Sequence, residues 1–312
     1  MTVFVYAAIV LGVVVFVTAV IARAVQYARS PIHLRWELYP VPHERPDRVA
    51  HGGSYFEQGE WWREPRRYNL RGELAVMLPE MLFLNALREF NRGLWLRSFP
   101  FHLGLYLIAA AGAGMLALAA SSFVGGTAWL GGWLARACQA AVAVIGTAGL
   151  VLAIAGALAL LHRRLSDTSL RTYSSAGDIF NLAVFVVALS TLGIGYATRP
   201  SGFPGALGIL TGLLTWNAGV PIPALLAAGL VMSSALLAYI PLTHMSHFVA
   251  KYFTYHAVRW DDAPLGDDRR VRATLAAYLT YRPTWAAGHI RGPGEPTWAD
   301  IVATNPSRED DR

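Results

Sequence analysis

Cysteine and lysine are each used once in this chain of 312 residues, as Cys138 and Lys251. A single cysteine excludes an internal disulfide and any four-cysteine iron–sulfur site within the chain. If electrons pass through clusters, a partner must hold them. With one lysine, nearly all the positive charge is arginine. Charge of either sign is missing from two long stretches, Leu103 to Ala135 and Ser201 to Thr243. Transporters draw on charged groups or broken helices at mid-depth, often within internal repeats, and none is evident here.

What is present is apolar. The chain is 54% hydrophobic and 15% charged, which reads as an integral membrane protein. Five segments, Val3 to Ala22, Phe99 to Ala120, Ala137 to Leu161, Asp178 to Thr198 and Ile222 to Leu242, are each about 20 residues or more, enough to cross a bilayer. The first has no basic region before it and is expected to be retained as a span. The expected fold class is therefore an all-α integral membrane protein, a five-transmembrane-helix bundle. Twelve arginines lie between the first two spans, and Arg163, Arg164 and Arg171 lie between the third and fourth, whereas Ser121 to Ala135 has no charge and Ala197 to Pro221 has only Arg199. The positive-inside rule then puts the N-terminus outside and the C-terminus in the cytoplasm.

The chain divides accordingly into a first transmembrane helix (1–22), a cytoplasmic segment (23–98), a four-helix membrane core (99–260) and a cytoplasmic tail (261–312). In the cytoplasmic segment, WWREPRRYNLRGE around Trp61 and Trp62 either covers a partner surface or lies along the headgroups. Apolar residues from Glu73 to Trp95 recur at helical spacing around Pro79, as in an interfacial amphipathic helix. The tail fragment RPTWAAGHIRGPGEPTWADIVATNP carries Trp285 and Trp298 among prolines and glycines. It reads as an extended arm laid over a cytoplasmic partner, or else as disorder.

The stretch AYIPLTHMSHFVAKYFTYHAVRW closes the last span. It reads as a long helix that carries His244 and His247 on one face, about one turn apart, with His256 on the opposite face. An ionisable ring at the edge of the hydrocarbon needs a partner, for which a metal or cofactor is the natural choice. His102 sits in RSFPFHLGLYLIAAAGAGM, about a turn inside the second span, where a lone histidine is readily an interfacial residue. The second span begins on the side where the fifth ends, so His102 and His247 reach the same depth, as two axial ligands of one iron must. The small residues Ala109 to Gly114 suit either close helix packing or a flat macrocycle. Asp178 is either a helix cap or a group that protonates quinone. Arg163, Arg164 and Arg171 are either topology signals or partners for haem propionates.

The segments HRRLSDTSLR, SSAGDIFNL and IPLTHMSHFVAKYFTYHAVR, within about residues 99–260, resemble the gamma subunit of respiratory nitrate reductase. They also resemble its relatives, the cytochrome b subunits of heterodisulfide reductase-like, sulfite-reduction-associated and hydrogenase complexes. The resemblance implies a subunit of a bacterial or archaeal cytoplasmic membrane that exchanges electrons between quinone and a peripheral iron–sulfur protein through haem b. Its axial ligands fall on His102 and His247, with His244 in reserve or acting as a quinone hydrogen-bond donor. The nitrate reductase type carries a second haem, but its two further histidines fall here on Gly112 and Gly229. Met115 and Met232 would have to act together to replace them, so one haem is expected. The partner implied is a cytoplasmic iron–sulfur subunit of the heterodisulfide-reductase-like kind. Two readings of other classes stay beside this one: a haem-free anchor for a peripheral redox enzyme, and a transporter.

Overall fold

A computed structural model describes residues 1–30, 39–263, 269–284 and 294–303. All regular structure among them is helical. Five helices are long and apolar enough to cross a membrane: Thr2–Ala28, Arg92–Phe123, Trp133–Ser166, Ala176–Ala197 and Ala224–Leu242. The shortest has 19 residues, or about 28 Å of helix, close to the thickness of the hydrocarbon core. Their outer surfaces are apolar: Phe4, Leu11, Val144 and Val151 are each more than 60% exposed. Such side chains would be costly in water and are at home in lipid, so the chain is a multi-pass membrane protein.

The chain forms two compact units, residues 1–24 with 75–249 and residues 25–74 with 250–312. In the first unit the second span packs on the third, the third on the fourth and the fourth on the fifth. Lipid tails give helices no hydrophobic reason to associate, so contact depends on small residues that let backbones approach. A Cβ on Gly104 or Gly156 of the second and third spans would strike the backbone of Ala153 or Phe101, and one on Gly195 would strike Leu226. Gly12 of the first span meets the backbone of Ser234 in the fifth. Phe101, Ala153, Phe185, Leu189 and Leu236 form the core between spans two to five. Tyr239 donates a 2.8 Å hydrogen bond to the buried Asn181 across the fourth and fifth. At the other end of the bundle Val5, Tyr6, Ile209, Ile222 and Leu226 form a second core. Ile209 comes from a short helix, Ala206–Leu214, between the fourth and fifth spans.

The single helix expected from Glu73 to Trp95 is divided into Leu70–Phe83 and Asn85–Phe90, with the second span starting at Arg92. Leu84 adopts the left-handed conformation, φ 54°. That turn is held because side chains satisfy the backbone groups it frees. The Trp95 indole donates to the Phe83 carbonyl at 2.8 Å, and the Glu80 carboxylate accepts from the Ala86 amide at 2.8 Å. The helix also lacks a single apolar stripe, since Leu74, Val76, Leu78 and Leu82 are all exposed and none of its residues is buried.

In the second unit the buried carboxylate of Asp262 accepts from Arg66 Nε at 2.8 Å and from the Tyr55 hydroxyl at 3.1 Å. Burial first, and then the Asp262 charge, push the Tyr55 phenol far above its ordinary pKa. Tyr55, Phe56, Trp61 and Trp62 make a run of ring contacts, 4.7 Å between the Phe56 and Trp61 centroids. The expected extended tail is corrected at its far end: Trp298–Ala303 is a short helix, because Thr297 and Asp300 cap it reciprocally, at 2.8 Å to the Thr297 amide and 3.3 Å to the Asp300 amide. Trp285 of the same arm lies outside the described residues.

Candidate functional site

The histidine-bearing stretch is not one helix. The fifth span is α-helical over Ala224–Tyr239, tightens to a 3₁₀ turn at Ile240–Leu242, and breaks at Thr243, which is extended. A second 3₁₀ turn, His244–Ser246, leads into the helix His247–Phe253. Two features of the sequence account for this. Pro241 has no amide hydrogen, and the Thr243 side chain caps the second 3₁₀ turn by accepting from the Met245 amide at 3.2 Å. The carbonyls stranded by the break are taken by Arg23 of the first span: Nε lies 3.2 Å from Pro241 O and Nη2 3.3 Å from Leu242 O. His244 and His247 therefore do not share one helical face. They sit in successive short elements and have different partners.

His247 faces His102. Their ring centroids are 6.2 Å apart and their planes make an angle of 69°. Two imidazoles on opposite sides of one iron, each through a bond of roughly 2 Å, put their ring centres roughly 6 Å apart. His102 is also oriented. Its Nδ1 is 2.8 Å from the carbonyl oxygen of Ser98, and a carbonyl only accepts, so Nδ1 carries the proton and Nε2 keeps its lone pair. The same contact is made by His256, whose Nδ1 lies 2.9 Å from the Tyr252 carbonyl, so it leaves a nitrogen free without assigning it a ligand. Phe101 packs edge-on against the His102 ring at 5.4 Å and is itself buried against Phe185 of the fourth span. Among the described residues no three His, Cys, Asp or Glu side chains converge. A bare-ion site of the zinc type thus has no ligand set here. A haem iron, whose porphyrin supplies four nitrogens, needs only two side-chain ligands.

His244 meets Asp178 instead. Its Nε2 is 3.7 Å from Oδ1 of the Asp178 carboxylate, whose Oδ2 is 3.6 Å from Arg164 Nη1. Asp178 is also a cap: Ser175 and Asp178 form a reciprocal capping box at the start of the fourth span, with the Ser175 amide donating to Oδ2 at 3.0 Å. Cap and polar cluster are therefore the same residue. Arg164 further donates to the Ser174 hydroxyl at 3.1 Å. The three groups join the end of the third span, the start of the fourth and the end of the fifth.

Of the other arginines, Arg163 stands near Asp167, and Arg171 lies in the short helix Thr168–Tyr173 that Asp167 caps. The Ser169 hydroxyl, with the backbone amides of Leu170 and Ser169 and the Arg163 charge, holds the Asp167 carboxyl below its usual range. His256 is engaged apart from the pair, stacked on Tyr252 at 4.0 Å, with Nε2 3.6 Å from Glu73. Gly229 has no room for any side chain, since a Cβ there would fall against the Leu192 backbone of the fourth span, whereas Gly112 faces open space. Three contributors escaped sequence reasoning: the Ser98 carbonyl, Arg23 and Thr243. Only Pro241 signalled the break. Comparison with protein-family models, with curated proteins and with solved structures finds no match to this chain.

Proposed function

We propose that this chain is the membrane cytochrome b subunit of a respiratory complex, exchanging electrons between the quinone pool and a cytoplasmic iron–sulfur partner. The observation that carries the reading is the facing pair His102 and His247, 6.2 Å apart, with His102 oriented through Ser98. These two residues would hold one haem b, which when bound supplies one-electron transfer. His102 keeps its proton on Nδ1 and offers Nε2, and His247 offers its ring from the start of a new helix. His244 and Asp178, whose Nε2 and Oδ1 lie 3.7 Å apart, are the candidate groups to hydrogen-bond a quinone. Arg164 offsets the Asp178 charge at 3.6 Å, and Arg163, Arg164 and Arg171 remain candidates for the haem propionates.

One haem is expected, because Leu192 fills the space at Gly229 that a further ligand would need. With the haem on the arginine-rich side, taken as cytoplasmic, electrons and protons enter and leave on the same side. The isolated reaction would then be electrically neutral. The partner is expected to resemble heterodisulfide-reductase iron–sulfur subunits and to meet the arginine- and tryptophan-bearing segments. The test is a reduced-minus-oxidised visible spectrum of the purified chain. Sharp α and Soret bands that disappear in His247→Ala support the reading. Their absence from the wild-type protein, expressed with haem supplied, points to the haem-free anchor.

A further inference from the structure

An open cavity of about 520 Å³ lies at the end of the bundle away from the histidine pair, bounded by spans two, three and four and by the helix Ala206–Leu214. Its polar lining is Arg136, Gln139, Tyr196 and Arg199, and its apolar lining includes Met115 and Ala143. Arg136 is the only cation from Leu103 to Leu161, and Arg199 the only one from Ile179 to Thr243. These two arginines, 63 residues apart in sequence, thus line the same cavity. Neither has a carboxylate within reach along these elements, because the sequence has no Asp or Glu from Ser98 to Ser166 or from Ile179 to Trp260.

Arg199 is held in place. Its guanidinium lies 4.5 Å over the Tyr196 ring, and Nη1 donates to the Tyr196 carbonyl at 3.1 Å. Its Nη2 and the Tyr196 hydroxyl both approach the bare surface of Gly205, where a Cβ would lie 3.7 Å and 3.4 Å from them. Two arginines lining one cavity place two positive charges where an anion between them would be favoured. The guanidinium fork matches phosphate oxygens, and the apolar wall matches an acyl chain. A neutral quinone head would leave the charges unbalanced, and a free inorganic anion would leave the apolar wall unused.

We propose that this cavity binds the phosphate of an anionic phospholipid, with Arg136 and Arg199 on its oxygens, Gln139 and the Tyr196 hydroxyl as further partners, and an acyl chain along Met115 and Ala143. The site depends on the spans alone and is independent of the haem reading. Native mass spectrometry of the delipidated full chain tests it, using phosphatidylglycerol, phosphatidylcholine of the same acyl chains, and inorganic phosphate. The wild-type chain is expected to hold phosphatidylglycerol about tenfold or more tighter than phosphatidylcholine. That preference should be lost in the Arg136→Gln/Arg199→Gln double variant and kept in Arg63→Gln, a substitution at an exposed side chain of the second unit. Arg136 is exposed, so Arg136→Gln alone folds without repacking and must already weaken the preference. An undiminished preference in Arg136→Gln and the double variant overturns the assignment, as does equal binding of the two lipids. Displacement of the lipid by inorganic phosphate at equal concentration overturns it in favour of a free-anion site.

Discussion

His102 depends for its orientation on a main-chain atom, the Ser98 carbonyl, which no substitution at position 98 removes. Ser98→Ala, which deletes only the hydroxyl 3.3 Å from Nδ1, is therefore expected to leave haem in place. His102→Ala and His247→Ala are each expected to abolish the haem spectrum, because each removes one of the two side chains that would hold the iron. His244→Ala should keep the α and Soret bands and slow quinone-linked reduction about tenfold or more, as should Asp178→Asn, each changing one member of the proposed quinone-binding pair. Loss of the bands in His244→Ala with their retention in His247→Ala would reverse the ligand assignment. The equal depth of His102 and His247 was legible in the sequence, because it comes from counting spans. The pairing of His244 with Asp178 was not, since it depends on how the chain turns after Thr243.

That turn belongs to the scale of the element. Histidines three residues apart predict a shared face only if the helix continues, and Pro241 and Thr243 stop it. Thr243→Ala removes the cap on the Met245 amide and is expected to cost about 1 kcal/mol, read as a lower melting temperature of the detergent-purified protein. Arg23→Gln frees the Pro241 and Leu242 carbonyls and is expected to cost about 1–2 kcal/mol by the same measurement. No change in either variant would show that the break is held by Pro241 alone. Gly229 was read as a missing ligand position, whereas its structural role is contact between the fourth and fifth spans. Gly229→Leu should disrupt that contact by about 1–3 kcal/mol. In the second unit the raised pKa of Tyr55 gives a pH test. Above about pH 10 the unfolded phenol ionises while the folded one stays protonated, so the stability it contributes is lost as pH rises further. The stability advantage of the wild-type chain over Tyr55→Phe is expected to shrink between about pH 8 and pH 11. A constant gap would contradict the Tyr55–Asp262 contact.

At the scale of the whole molecule, the five spans were legible because an apolar run of about 20 residues has few other uses in a protein. The break at Leu84 was not, because its satisfaction by Trp95 and Glu80 requires the chain to fold back first. Spans are fixed by composition; their sidedness is proposed from the arginines. A reporter fused after Arg312 is expected to be active in the cytoplasm, and a reporter active only outside would invert the proposed topology. Truncation after Pro264 is expected to release the iron–sulfur partner while leaving haem bound; full retention of the partner would move the docking surface to the segment before the second span. The central claim, one haem b held by His102 and His247, is tested most directly by haem content per chain in the purified wild-type protein and in His247→Ala. The account predicts one haem b per chain in the first and none in the second, whereas two haems per chain, none at all, or one that survives in His247→Ala would contradict it.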